Sequence, residues 1–229
     1  KASQPKPLEI WWSKREQQSD MPDPIWFPGW VQRYRFGWLT NSYSYPAIAL
    51  ASQLGSLNTT YARRGVALDF GSSVNSRRSS DEGRWFSGDS YTVECWVKPH
   101  SLTATAQVFD FGNADSANRV SLQILTNGLV CYGVYLDATH SLVVTSSMAL
   151  AHREGWNHLA LVVSNGLATL YLDGKTNDPS VALGFEPWSE TVTTTNNLLG
   201  VSYEDGTASL DGQLAEFAIW GVARSADEI

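Results

Sequence analysis

The stretch Asp110-Phe111-Gly112-Asn113-Ala114-Asp115-Ser116-Ala117-Asn118-Arg119 carries the densest set of chemically able groups in the chain. Its carboxylate and amide oxygens are hard donors, the kind that suit Ca²⁺. A second acidic stretch, Ser202-Tyr203-Glu204-Asp205-Gly206, follows Leu198-Leu199-Gly200. In the first stretch Asn113 and Asp115 are candidate calcium ligands. The same residue types also have a local use, because Asp and Asn side chains hydrogen-bond their own turn backbone. Both readings stand at this level: turn caps for Asp110, Asn113 and Asn118, or ligands to a weakly held cation.

Catalytic constellations are harder to assemble. The four histidines are not spaced as metal ligands, and His158 sits at the start of an apolar run, where a structural role is expected. Glu94 stands alone on its segment, opposite Cys95 in parity. Neither a Ser/His/Asp set nor a Gly-rich phosphate loop can be built. The chain is expected not to be an enzyme.

The elements that must position these groups are strands. Tyr91-Thr-Val-Glu-Cys-Trp-Val97 alternates apolar and polar residues, placing Tyr91, Val93, Cys95 and Val97 on one face. Further strands are predicted over 106–111, 120–125, 129–136, 141–145, 159–163 and 168–172, with Gly, Asn, Asp and Ser between them. Asn165-Gly166 and Asp173-Gly174 are type I′ hairpin signals, so 159–172 reads as a hairpin. Val31–Phe36 reads as an opening strand, 41–64 as a loop region, and 225–229 as a last helical turn capped by Ser225 with Glu228. The regular spacing argues for a β-sandwich, with no βαβ unit or helical repeat.

Four blocks in series make the pattern more specific. They are Gly65-Val-Ala-Leu-Asp-Phe70, Tyr91 to Pro99, Gly155-Trp-Asn-His-Leu-Ala-Leu-Val-Val163 running on to Lys175, and Leu210-Asp-Gly-Gln-Leu-Ala-Glu-Phe-Ala-Ile-Trp220. In this order they resemble the laminin G-like, concanavalin A-like jelly roll that pentraxins share, over roughly residues 66–229. The resemblance implies an all-β antiparallel sandwich, with Trp96, Trp156, His158 and Trp220 at positions that similar residues fill in the family. It implies a ligand held at a loop end or on one sheet by aromatic stacking and a few polar groups, for which Tyr132, Tyr203 and Arg119 are the candidates. In pentraxins the two loops converge on calcium. Asn118 matches the amide position and Glu204 with Asp205 the acidic loop, but Ala117 replaces the expected aspartate. Glycosidases of this fold carry Glu-x-Asp-x-x-Glu on one strand, and that spacing is missing here.

Charge divides the chain into an arm and a body. Residues 1–64 hold 8 Lys/Arg and 4 Asp/Glu, whereas 65–229 hold 8 and 19, a net of −11. An acidic body argues against nucleic acid as a partner. Residues 1–29 form an irregular extension punctuated by five prolines, ahead of a domain expected over 30–229. Trp11, Trp12, Trp26, Phe27 and Trp30 give that arm more aromatic surface than a solvated tail carries, so it reads as a docking element. Cys95 reads as a core residue, and whether it pairs with Cys131 stays open. No apolar run approaches the ~18 residues that span a membrane. Lys1 in place of Met, with no signal-peptide pattern, points to a processed or truncated start. The expected function is a binding module for a glycan or a protein at a cell surface or in the extracellular matrix. The alternative is an accessory subunit docked through its arm into a larger assembly, in an organelle lumen or a periplasm.

Overall fold

A computed structural model describes residues 30–34, 44–45, 58–62, 65–70, 77–79, 83–86 and, from 90 onward, all but 114–117, 153, 177, 186–191, 195 and 203–208. The first strands are β1 (Trp30–Tyr34), β2 (Ser44–Tyr45), β3 (Asn58–Ala62), β4 (Gly65–Asp69), β5 (Arg77–Ser79) and β6 (Gly83–Phe86). Next come β7 (Ser90–Pro99), β8 (Ala106–Gly112), β9 (Arg119–Ile124), β10 (Leu129–Tyr135), β11 (Ser141–Ala149) and β12 (Asn157–Ser164). The last are β13 (Leu167–Leu172), β14 (Lys175–Thr176), β15 (Val181–Ala182), β16 (Val192–Thr194), β17 (Asn196–Leu199) and β18 (Gly212–Trp220). The larger sheet runs β14-β13-β12-β7-β18-β1-β2, with β15 on β13 and with β4 linking β18 to β3. The smaller sheet runs β11-β10-β9-β8-β17-β5, and β6 pairs with β16 in a separate ribbon. All described pairings are antiparallel, and the fold is the expected all-β sandwich.

Alternation decides which side chains meet between the sheets. Tyr91, Val93, Cys95 and Val97 of β7 are buried, beside Leu159, Leu161 and Val163 of β12. From the smaller sheet come Leu122 and Ile124 of β9 and Val130, Tyr132 and Val134 of β10. Three rings join the sheets at their centre: Phe217 of β18 lies 5.4 Å from both Phe109 and Phe111 of β8, centroid to centroid. Two bulges put those rings there. The β8–β9 register shifts between Gln107 and Phe109, and the β7–β18 register shifts between Ala215 and Ala218, where Glu216 adopts φ 50°. Each extra residue reverses the parity beyond it, so Phe109, Phe111 and Phe217 turn inward.

Several expectations change in detail. The region 41–64 is not all loop: Ser44–Tyr45 pairs with β1, and Asn58–Ala62 pairs with β4. Thr59, Thr60 and Tyr61 suit a strand, but a sheet edge lacks the two-sided apolar pattern that announces one. β11 runs to Ala149, four residues beyond its predicted end. Residues 225–229 make one turn, not a helix, in which Ser225 N–H and Oγ–H donate to Glu228 Oε2 at 2.8 and 2.9 Å. Those bonds hold the Glu228 carboxyl below its usual pKa. Both cysteines are free: Cys95 is buried in the larger sheet and Cys131 half-buried in the smaller. Burial pushes the Cys95 thiol well up. The described residues form no helix long and apolar enough to cross a membrane.

The predicted hairpin is present, with Leu159 opposite Leu172 and Ser164 opposite Leu167. Asn165 and Gly166 have φ of 49° and 72°, the left-handed pair that a type I′ turn requires. A Cβ at 166 meets nothing within 4 Å. Gly166→Ala is therefore expected to cost only backbone strain, about 1–2 kcal/mol, seen as a lower urea midpoint at unchanged m.

Candidate functional site

Of the polar residues that sequence reasoning singled out, Asp110 and Arg119 lie on the outward face of the smaller sheet. Three cross-strand rows can be followed from the pairing. One is Gly112, Arg119, Tyr135 and Ser141; the next is Leu198, Asp110, Ser121, Gly133 and Val143; the third is Gln107, Gln123, Cys131 and Thr145. Exposure rises across the sheet: β8 is buried on both faces, whereas Val143 of β11 is 54% exposed. On β9 only Gln123 is partly exposed, so the accessible part lies over β10 and β11.

Beneath it sits a buried ion pair. Arg119 Nε and Nη2 donate to Asp110 Oδ1 and Oδ2, each at 2.5 Å, with side chains 4% and 2% exposed. This forked geometry is how a guanidinium best satisfies a carboxylate. The Arg119 guanidinium carbon is also 5.5 Å from the centroid of the Tyr135 ring. That ring folds back along β10 over Gly133, where a Cβ would lie 2.7 Å from the Tyr135 hydroxyl oxygen. Gly133 is thus the seat of the ring, and any side chain there would displace it. Gln123 Nε2 donates to Gln107 Oε1 at 2.7 Å, and Gln107 Nε2 donates to the Phe109 and Leu122 carbonyls. The result is a half-buried aromatic ring on a hydrogen-bonded polar floor.

Of the three ligand candidates, Arg119 and Tyr132 are interior groups. Arg119 is committed to Asp110, and Tyr132 is 3% exposed with its hydroxyl pushed up to about 12 by burial, then by the Asp178 and Cys131 charges. Tyr203 lies outside the described residues. The outward tyrosine of β10 is Tyr135, not Tyr132. Parity held the signal, since Cys131, Gly133 and Tyr135 alternate against Val130, Tyr132 and Val134.

Of the calcium candidates, Asn113 and Asn118 are described, while Asp115, Glu204 and Asp205 lie outside the described residues. Asn118 has φ 52° and donates its backbone N–H to the Leu136 carbonyl at 3.1 Å, continuing the β9–β10 pairing by one position. Asp110 has both carboxylate oxygens on Arg119, and a cation beside that guanidinium would be repelled. Among the described residues no group of three His, Cys, Asp or Glu could hold a metal ion. Of the docking residues, Trp11, Trp12, Trp26 and Phe27 lie outside the described residues, and Trp30 belongs by its backbone to β1, opposite Trp220.

A second constellation, which sequence reasoning did not assemble, occupies the outward face of the larger sheet. Glu94 accepts from Trp220 Nε1 at 2.9 Å and from Arg224 Nη1 at 2.8 and 2.9 Å. Arg224 lies 4.5 Å from the centroid of the Trp220 ring. Thr92 Oγ1 accepts from Arg224 N–H and donates to the Val222 carbonyl, both at 2.9 Å, so the tail after β18 folds back onto β7. His158 Nε2 is 3.7 Å from Glu94 Oε2 and its ring packs 5.1 Å from Trp96. Burial holds this imidazole below its ordinary pKa, although the Glu94 and Asp173 carboxylates pull upward. These groups satisfy one another and clasp the tail.

Comparison with known proteins follows from this architecture. A family model described as the concanavalin A-like lectin/glucanases superfamily matches residues 70–229. The chain belongs to this superfamily. No curated protein matches its sequence. Among solved structures, domain 4 of AbnA, a GH43 extracellular arabinanase from Geobacillus stearothermophilus, superposes with TM-score 0.58 at 22% identity over 76% of this chain and 79% of that one. The CBM40 of the Ruminococcus gnavus IT-sialidase gives 0.54 at 19%, over 62% and 80%. The binding domain of Paraclostridial mosquitocidal protein 1 gives 0.58 at 14%, over 75% and 44%. At these identities the likeness is one of fold.

Breaking the buried pair tests its role beneath this face. Arg119→Met is expected to lower unfolding stability by about 3–5 kcal/mol, because it strands a buried carboxylate; Asp110→Leu combined with it should cost markedly less. A double-mutant cycle by urea denaturation checks this.

Proposed function

We propose that this domain is a non-catalytic module that binds glycan on the outward face of its smaller sheet, as part of a secreted or surface protein. The observation that carries the reading is Tyr135: a half-buried ring seated on Gly133 and opposite Ser141, with Gln123 and Thr145 further along the same face on β9 and β11. A flat apolar ring flanked by a few hydroxyl and amide groups matches the two surfaces of a sugar, its C–H face and its hydroxyl rim. Two structural neighbours support the reading: domain 4 of the arabinanase was solved with arabinotriose, and the CBM40 with α2,3-sialyllactose. The absence of catalysis is supported by the acid content of this sheet. Its six strands carry one carboxylate, Asp110, whereas glycoside hydrolysis uses two.

Tyr135→Ala is expected to weaken glycan binding at least about tenfold, as loss of an aromatic anchor does, while the melting temperature moves little. Gly133→Ala should act the same way by displacing the ring, and Tyr135→Phe should retain most affinity. Calorimetric titration with a glycan selected from an array measures all three.

The composition of residues 1–29 favours a second role, docking into a larger assembly, which is compatible with the first. Because β1 begins at Trp30, deleting 1–29 removes no described strand. If the arm docks on a partner, the truncated protein should lose that partner and keep its melting temperature. If it docks on its own body, the melting temperature should fall by several degrees. Co-purification and thermal unfolding together decide.

A further inference from the structure

We infer that the glycan bound on this face is neutral: an uncharged pentose or hexose oligosaccharide, with uronate, sialylated and sulfated chains rejected. The inference rests on the glycan-binding reading and narrows it. Recognition of an acidic sugar requires a cation or a set of charge-assisted donors aimed at its carboxylate or sulfate. The six strands of the smaller sheet carry three basic residues, Arg77, Arg78 and Arg119. Arg119 is buried with two of its nitrogens on the Asp110 carboxylate. Drawing it out would strand that carboxylate in the interior, so it is withheld from a ligand.

Arg77 and Arg78 belong to β5, at the opposite margin. Between β5 and β10 lie β17, β8 and β9, and at ~4.8 Å per strand the separation is about 19 Å. That exceeds the length of a single sugar unit stacked on Tyr135. Arg84 is in the β6–β16 ribbon, whose β16 leads into β17 on the same side. Among the described residues, Ser141 is opposite Tyr135, and Val143, Gln123 and Thr145 lie further along the same face, all uncharged. The turn from β10 to β11 adds Asp137 and His140, 2.9 Å apart, and the Asp137 carboxylate opposes an anion.

The charge of the body as a whole has the wrong sign for an anion. Residues 65–229 carry a net −11. A field of that sign slows the approach of polyanions and tolerates neutral chains.

The test is an array of neutral arabino-, gluco- and galacto-oligosaccharides printed beside their sialylated, uronate and sulfated counterparts, probed with the full chain at 0.15 M salt. The expected result is binding within the neutral set, with each acidic counterpart retaining less than a tenth of the signal, and loss of that signal in Tyr135→Ala. Val143→Lys, which sets a cation on the exposed strand beside Tyr135, should raise the acidic signal several-fold and spare the neutral one. An acidic glycan bound as well as its neutral partner overturns the inference and leaves glycan binding standing. A neutral signal that survives Tyr135→Ala overturns the assignment to this face. Silence across the array from folded protein overturns the glycan reading itself.

Discussion

The contact of Phe217 with Phe109 and Phe111 fastens the two sheets, and the rest of the sandwich is arranged so that these rings can meet. In β18 Leu214 and Phe217 are both buried although they differ in parity; in β8 the same is true of Ala106 and Phe109. A regular strand cannot place both on one side. The bulges at 108 and 216 remove that conflict at the cost of a left-handed Glu216, a strained conformation for a residue with a side chain. The strain is small beside the apolar area of three fully buried aromatic rings.

Burying β8 on both faces creates the next constraint. An outward Asp110 in a strand without solvent has to be neutralised, and Arg119, one strand away in the adjoining row, does this with both arms of its fork. The pair makes the margin near β8 rigid. It also withholds the Arg119 guanidinium from whatever the more exposed strands β10 and β11 can hold. Packing in the core and chemistry at the surface are linked through that one residue.

The larger sheet meets an equivalent demand differently. Glu94, outward on a central strand, is satisfied by Trp220 and by Arg224 from the tail, so its neutralisation and the fixing of the C-terminal segment are one event. Two outward faces of a shared fold thus do different things: one is closed by its own tail, the other is open along β11. Fold membership does not distinguish them, and only the site on each face does.

The sequence by itself determined the class of fold, most strands, the I′ turns at Asn165-Gly166 and Asp173-Gly174, and the inward set on β7. These follow from local rules, namely period-two alternation and the left-handed tolerance of Asn, Asp and Gly. It left the site half legible. The 110–119 stretch drew notice by its composition, yet which oxygens cap turns, which neutralise Arg119 and which face a ligand depends on strand pairing. Tyr135 escaped notice beside Tyr132 because its ring is seated on a glycine two residues away and beside an arginine on the next strand. Glu94 looked isolated because its partners are 126 and 130 residues distant. Only the tertiary structure decided these matters: bulges shift parity without a local signature, and a charge is buried or available according to what another strand brings beside it.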